Sequence, residues 1–290
     1  MARMRRLSLA VGIPLAALGT AAPAVAAPPS TWYGGGEIVA AEPGKDFPGH
    51  AGDSNVSLLT GKNAARLDVA ASAIVPCADG STREVYGSGR STVAADGSFT
   101  LTERRTNGKG KDRWTTELTL AGRFESDQRA SGTITATSTG EGKTCTGPAT
   151  FVAVTLPKVG RKAAPPPPNA VLRGLVGRTG LFDVVLRTSA DAKRVVRANF
   201  TLPWRCNGKR GDEVFYEPGA AIRRDGTFTI DERWSSKSGG GTLRARVVVR
   251  GVFVSGGVLG TVRATATARN GRGRVVERCT SGSRGFTAVP

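Results

Sequence analysis

Two glutamates stand out as residues that could do chemistry, because each ends a stretch that occurs twice. Asp96-Gly97-Ser98-Phe99-Thr100-Leu101-Thr102-Glu103-Arg104 returns as Asp225-Gly226-Thr227-Phe228-Thr229-Ile230-Asp231-Glu232-Arg233, 129 residues later. Phe99, Leu101 and Glu103 alternate, as do Phe228, Ile230 and Glu232. Each glutamate therefore shares the buried face of its strand. A buried carboxylate is costly unless paired. The arginines nearest in sequence, Arg104, Arg105 and Arg233, are assigned to the other side of the strand. A partner across the sheet is expected, and the pair reads as structural. Glycoside hydrolysis needs two carboxylates roughly 5–10 Å apart, which one glutamate per half does not offer.

Other routes to catalysis are as thin. The only histidine, His50, sits in the Gly/Pro-rich run Phe47-Pro48-Gly49-His50 with no neighbouring nucleophile. Gly87-Ser88-Gly89 lies in a strand or turn rather than a strand-to-helix elbow. Asp79-Gly80, Asp96-Gly97 and Asp225-Gly226 are turn formers, and none begins a calcium loop. The four cysteines are too widely spaced for a zinc site. No enzyme activity, metal or cofactor is expected.

The basic residues are a stronger signal. The outward positions of one long strand in the second half are Arg244, Arg246, Val248 and Arg250. Those of the next are Thr261, Arg263, Thr265, Thr267 and Arg269, and Arg272, Arg274 and Arg278 follow in a loop. Paired through the turn at Ser255-Gly256-Gly257, these strands would gather the arginines on one solvent face. The matching positions of the first half are Thr115, Glu117, Thr119, Thr133 and Thr135. Residues 27–160 hold 14 Lys and Arg against 14 Asp and Glu, whereas residues 161–290 hold 24 against 9. Such a face suits anionic polymers: teichoic acids, acidic polysaccharides, extracellular nucleic acid or anionic lipid. The bland alternative is a solvated surface in an arginine-rich chain. Aromatic side chains, which single-stranded nucleic acid would call for, do not interleave the arginines, so any nucleic-acid binding would be non-specific.

The elements that must carry these residues are strands. Period-2 alternation runs through Arg66–Val75, Trp114–Phe124, Thr133–Thr139, Arg194–Leu202 and Leu243–Phe253. Asp-Gly and Gly-Gly turns punctuate it, and no window shows a helical apolar stripe. The chain reads as all-β, with two tandem antiparallel β-sandwich or flattened β-barrel domains of seven or eight strands each. Cys77 and Cys206 precede the repeated stretch by the same 19 residues. The repeat therefore pairs Cys77 with Cys145 and Cys206 with Cys279. Each bridge closes a loop of roughly 70 residues, worth about 4 kcal/mol in the chain-entropy model.

The organisation that follows places a signal peptide at 1–26, a flexible lead-in at 27–54, the first β domain at 55–156, a Pro-rich linker at 157–169 and the second β domain at 170–290. Arg3, Arg5 and Arg6 precede the short apolar run Leu7–Leu18 and the small-x-small site Ala24-Val25-Ala26. Residues after Arg5-Arg6 match a twin-arginine signal poorly, so general secretion is expected, with an extracellular product. No later stretch is apolar for long enough to span a membrane as a helix. Pro165–Pro168 favours a polyproline II spacer.

Each half resembles a domain common in secreted proteins of actinobacteria. The motifs that carry the resemblance are Cys77, Gly97-Ser98-Phe99, Gly122-Arg123-Phe124, Ser131-Gly132-Thr133, Cys145-Thr146-Gly147 and Phe151. The second half supplies Cys206, Gly226-Thr227-Phe228, Gly251-Val252-Phe253, Leu259-Gly260-Thr261, Cys279-Thr280-Ser281-Gly282 and Phe286. Both depart from the pattern in having Phe where Trp stands near each end. The resemblance implies an extracellular disulfide-bonded β domain and carries no activity. The leading functional expectation is a monomeric, non-enzymatic binding or structural module of the cell envelope. The runner-up is a protein-binding or inhibitor module using Trp204–Arg210 or Trp234–Gly241.

Overall fold

The computed structural model describes residues 27–39, 50–108, 113–177, 181–238 and 241–290. The expected signal peptide lies outside them. Among the described residues no helix is long and apolar enough to cross a membrane. The chain is all-β and forms two eight-stranded antiparallel sheets. The first contains β1 (Trp32–Glu37), β2 (Ser54–Thr60), β3 (Arg66–Pro76), β4 (Thr82–Thr92), β5 (Ser98–Asn107), β6 (Trp114–Ser126), β7 (Arg129–Gly140) and β8 (Lys143–Val154). The second contains β9 (Val171–Val176), β10 (Asp183–Thr188), β11 (Arg194–Cys206), β12 (Lys209–Ala221), β13 (Thr227–Ser238), β14 (Gly241–Val254), β15 (Gly257–Arg269) and β16 (Val275–Val289). The strand orders are β4-β3-β2-β1-β8-β7-β6-β5 and β12-β11-β10-β9-β16-β15-β14-β13. Each is the same meander joined through its first strand.

Each sheet rolls around one core, giving flattened barrels that stop short of closure. Alternate residues of β3, β6 and β7, such as Val69, Ala71, Leu118, Leu120, Ile134 and Ala136, meet Phe99, Phe124 and Phe151 inside the first. Val195, Phe200, Val247, Val249, Phe253 and Phe286 do the same in the second. The repeated Asp-Gly stretches are turns of identical construction. Asp96 accepts the Ser98 N–H at 3.0 Å and its hydroxyl at 2.7 Å, and Asp225 does so from Thr227 at the same distances. Gly97 and Gly226 supply the positive φ the turns require, 81° and 80°. Beyond the ends of the short strands, β3 and β8 meet at Cys77–Cys145, and β11 and β16 meet at Cys206–Cys279. Both disulfides are formed, with the pairing the repeat predicts.

Two expectations are corrected. Part of the 27–54 lead-in is structural: β1 lies between β2 and β8, and Tyr33 is fully buried. Tyr33 packs 5.1 Å from Phe124 and donates its hydroxyl to the Asp127 carbonyl. The run Gly34-Gly35-Gly36 reads as a breaker, but these glycines answer close approach. A Cβ on Gly34 would lie 2.3 Å from the Gly174 carbonyl oxygen, in the other barrel. Nor does the 157–169 segment hang free as a spacer. Gly160 and Ala164 donate to the carbonyls of Ser255 and Phe253, and Ser255 donates back to Lys162. It is strapped along the β14–β15 hairpin.

The barrels are also packed against each other, through polar groups. Asp183 accepts from Asn55 and from the Ser57 hydroxyl, all three residues being buried. Arg197 pairs with the fully buried Asp53. Asp53 also accepts the backbone N–H groups of Val39 and His50. Arg173 pairs with Glu37 and donates to the Gly36 carbonyl, and Arg187 donates to the Ile38 carbonyl. Removing one partner of a buried ion pair typically costs about 3–5 kcal/mol, whereas replacing both can be nearly neutral. Arg197→Ala should therefore destabilise the chain by that amount in urea unfolding. The double variant Asp53→Asn, Arg197→Met should recover most of it. A loss below about 1 kcal/mol for the single variant would mean that the barrels do not hold this contact in solution.

Candidate functional site

The sheet register decides whether the arginines converge. Along β14, Ala245, Val247 and Val249 point into the core, so Arg244, Arg246 and Arg250 point out. On β15, Arg263 stands opposite Val248, diagonal to both Arg246 and Arg250. Arg269 lies at the far end of β15, opposite Thr242. Arg278, on β16, is opposite Thr267 and faces the same way. The 270–274 loop is ordered by Asn270, whose side-chain oxygen accepts the N–H groups of Arg272 and Arg274. Arg269 donates to the Gly273 carbonyl across that loop. Arg244, Arg246, Arg250, Arg263, Arg269, Arg272 and Arg274 are all exposed. Among the described residues, Arg246 alone of the seven is ion-paired, in a two-pronged contact with Asp231 at 2.7 and 2.6 Å. That contact holds the Asp231 carboxyl below the usual carboxylate range.

The same face of the first barrel is neutral. Thr115, Glu117 and Thr119 stand opposite Thr139, Thr137 and Thr135. Its hydroxyls bond one another: Thr102 with Thr119, Thr106 with Thr115 and Thr137 with Thr146.

The two glutamates occupy the unpaired seam of each barrel. In the first, Glu103 accepts the backbone N–H of Ser88 on β4 and pairs with Arg105. Arg105 also donates to the Ser88 hydroxyl and lies 5.4 Å from the Tyr86 ring centroid. The expected cross-sheet partner is thus only half right. Arg105 stands two residues along β5, which returns it to the side of Glu103 at the open edge. In the second barrel Glu232 has no hydrogen bond or ion pair among the described residues. It faces Glu217 of β12, whose carboxyl is pushed up to about 8, chiefly by burial and then by the charge of Glu232. The one-glutamate-per-half reading therefore missed a carboxylate pair. Nothing in the local pattern around Glu217 marked it.

Between β12 and β13 these carboxylates line a groove of about 510 Å³ with Glu213, Val214, Phe215, Tyr216, Pro218, Arg233 and Trp234. A smaller cleft of about 360 Å³ lies between the barrels, where Arg83 sits 3.5 Å over the Trp114 ring and Asp212 faces Tyr86 and Arg105. The segments Trp204–Arg210 and Trp234–Gly241 are mostly strand rather than projecting loop. Trp204 packs edge-on against Phe215 at 5.3 Å. Cys206, Glu277 and Cys279 cluster within 4.8 Å, but the two cysteines are joined to each other and hold no thiolate for a metal. His50 is engaged through its backbone, in the contact with Asp53. No family model, curated sequence or solved structure matches the chain, so its sites are read from their own chemistry.

The buried carboxyls set a pH dependence. Burial pushes Asp183 up to about 6 and Glu217 up to about 8. A carboxyl whose folded-state value is raised holds a proton that the unfolded chain has already released. Its contribution to stability is therefore lost as pH rises from the ordinary carboxylate range through the folded value. The turn aspartates, with lowered values, are ionised in both states throughout that window. The melting temperature should fall between pH 5 and pH 8.5, and Glu217→Gln should flatten the fall. A melting temperature that rises over this interval would contradict the assignment.

Proposed function

We propose that the chain is a secreted, non-enzymatic binding module whose second barrel holds anionic polymers of the cell envelope on its β13–β16 face. The observation that carries this reading is the register of β14 with β15, which puts Arg244, Arg246, Arg250 and Arg263 on one exposed surface. The first barrel has the same fold and no such surface. Guanidinium groups bind phosphate and carboxylate in two-pronged geometry, as Arg246 already does with Asp231. Export is supported by the charged and apolar leader pattern, by the resemblance to secreted actinobacterial domains, and by two disulfides, which suit an oxidising compartment.

Polyanion binding by about six contacts should weaken about a thousandfold between 50 and 200 mM salt. Titration of the full chain with teichoic acid, heparin and duplex DNA measures this. Changing Arg244, Arg250 and Arg263 together to Ser touches only exposed side chains and should leave the fold intact. It should reduce the slope of log K against log salt by about three for DNA. Binding with an unchanged slope, or no binding to any of the three at 50 mM salt, would sink the proposal.

A further inference from the structure

The two seams are equivalent positions filled differently. In the first barrel β4 presents Val85, Gly87 and Gly89 inward, opposite Ala73, Ala71 and Val69. In the second, β12 places the exposed Glu213 and the buried Phe215 and Glu217 at the matching positions, opposite Leu202, Phe200 and Ala198. Glu103 and Glu232 stand opposite Leu118 and Val247, and Arg105 and Trp234 stand opposite Thr116 and Ala245. Passing from the first seam to the second, the glutamate stays, its guanidinium is exchanged for an indole, and a glycine is exchanged for a second glutamate. Glu217 is 2% exposed, lines the groove, and has no hydrogen-bond or ion-pair partner among the described residues. The seam itself is also open. The first is crossed by Ser88 to Glu103 and by the Ser91 hydroxyl to the Thr100 carbonyl. Within the second no bond between β12 and β13 is recorded among the described residues.

We infer that the β12–β13 groove is a binding site for an organic cation: a guanidinium or ammonium group on an alkyl stem, seated between Glu217 and Glu232. The first barrel shows the complex in internal form, with the Arg105 guanidinium against Glu103 and beside an aromatic ring. In the second, Phe215 and Trp234, 6.4 Å apart, offer aromatic surface to the stem and to the charge. Trp234 is 41% exposed, an uncommon cost for an indole with nothing to cover. The groove admits a short alkyl chain and is largely apolar apart from Glu213, Glu217, Glu232 and Arg233, and Arg233 is an exposed side chain 3.8 Å from Asp231. The cation would also relieve the repulsion between two carboxylates, and its arrival would expel the proton that burial holds on Glu217. This site lies apart from the arginine surface, and the inference does not depend on polyanion binding.

Calorimetry of the full chain at pH 7 with butylguanidine, butylamine and n-butanol tests it, with Ac-Gly-Arg-Gly-amide as the peptide-borne form. Saturable binding of the cations and not of the alcohol is expected, with proton release seen by comparing buffers of different ionisation enthalpy. Glu217→Gln should weaken it at least tenfold. The double variant Glu217→Gly, Trp234→Arg rebuilds the first seam. It should fold, melt no lower than the parent, and lose binding, because its own guanidinium occupies the site. Peptide binding without butylguanidine binding would assign the groove to an arginine presented on an extended chain, and the reverse to a free small cation. Butanol binding equal to butylguanidine, no saturable heat with any cation, or undiminished binding in a folded double variant would overturn the inference.

Discussion

A carboxylate taken out of water must be met by a cation, by donated hydrogen bonds or by a proton, and much of this chain is arranged around that requirement. At the barrel interface Asp53 is met by Arg197 and two backbone N–H groups, Asp183 by Asn55 and Ser57, and Glu37 by Arg173. At the first seam Glu103 is met by Arg105 and a β4 amide. At the second seam Glu217 and Glu232 face each other, and a proton on Glu217 is what remains. The unmet pair is informative because the met ones surround it. The chain has the means to meet a buried acid and does so for Asp53, Asp183, Glu37 and Glu103.

An interface of this kind gains little net stability, since desolvation offsets most of the attraction between paired charges. Its effect is on geometry. Hydrophobic surfaces tolerate sliding, whereas Asp53 with Arg197 and Asp183 with Asn55 meet in one arrangement only. Gly34 contributes by omission, letting β1 approach the Gly174 backbone more closely than any side chain would permit. The strap from Gly160 to Ala164 acts with these contacts, tying the connection to the β14–β15 hairpin.

The sequence showed what alternation and repetition can encode. The inward runs Leu118, Leu120 and Val247, Val249 marked the strands, and the spacing of Cys77 and Cys206 chose the disulfide partners. It was silent where a residue's meaning depends on the other barrel. Gly34-Gly35-Gly36 has the composition of a loop, and the close approach of β9 to Gly34, of β8 to Gly35 and of β2 to Gly36 explains it as a strand. Asp53, Asn55 and Arg197 look like surface residues on polar faces, because a sequence pattern records burial against the residue's own core and not against a neighbouring domain. Glu217 escaped for a related reason. The β11–β12 turn, Asn207-Gly208, is one residue shorter than the matching turn Ala78-Asp79-Gly80, so a fixed offset of 129 sets Glu217 beside Ser88 instead of Gly89. Arg105 was misplaced by treating all neighbours along a strand as opposed, though two residues restore the same side.

The packing of the two barrels explains why they differ where they do. Packing engages mainly β1–β4 of one barrel and β9–β12 of the other, and these strands carry the matched buried polar groups. The faces of β5–β8 and β13–β16 are left to solvent. There a substitution costs little, since an exposed threonine and an exposed arginine both satisfy a solvated β surface. The first barrel carries hydroxyls that bond to one another, and the second carries guanidinium groups with few internal partners. The seam stands between these regimes. It is close enough to the core that Glu217 is buried, yet open enough that no internal arginine is needed there to complete the fold. A position of that kind can leave a charge unmatched only if folding tolerates a protonated acid there, and the raised value of Glu217 is the form that tolerance takes.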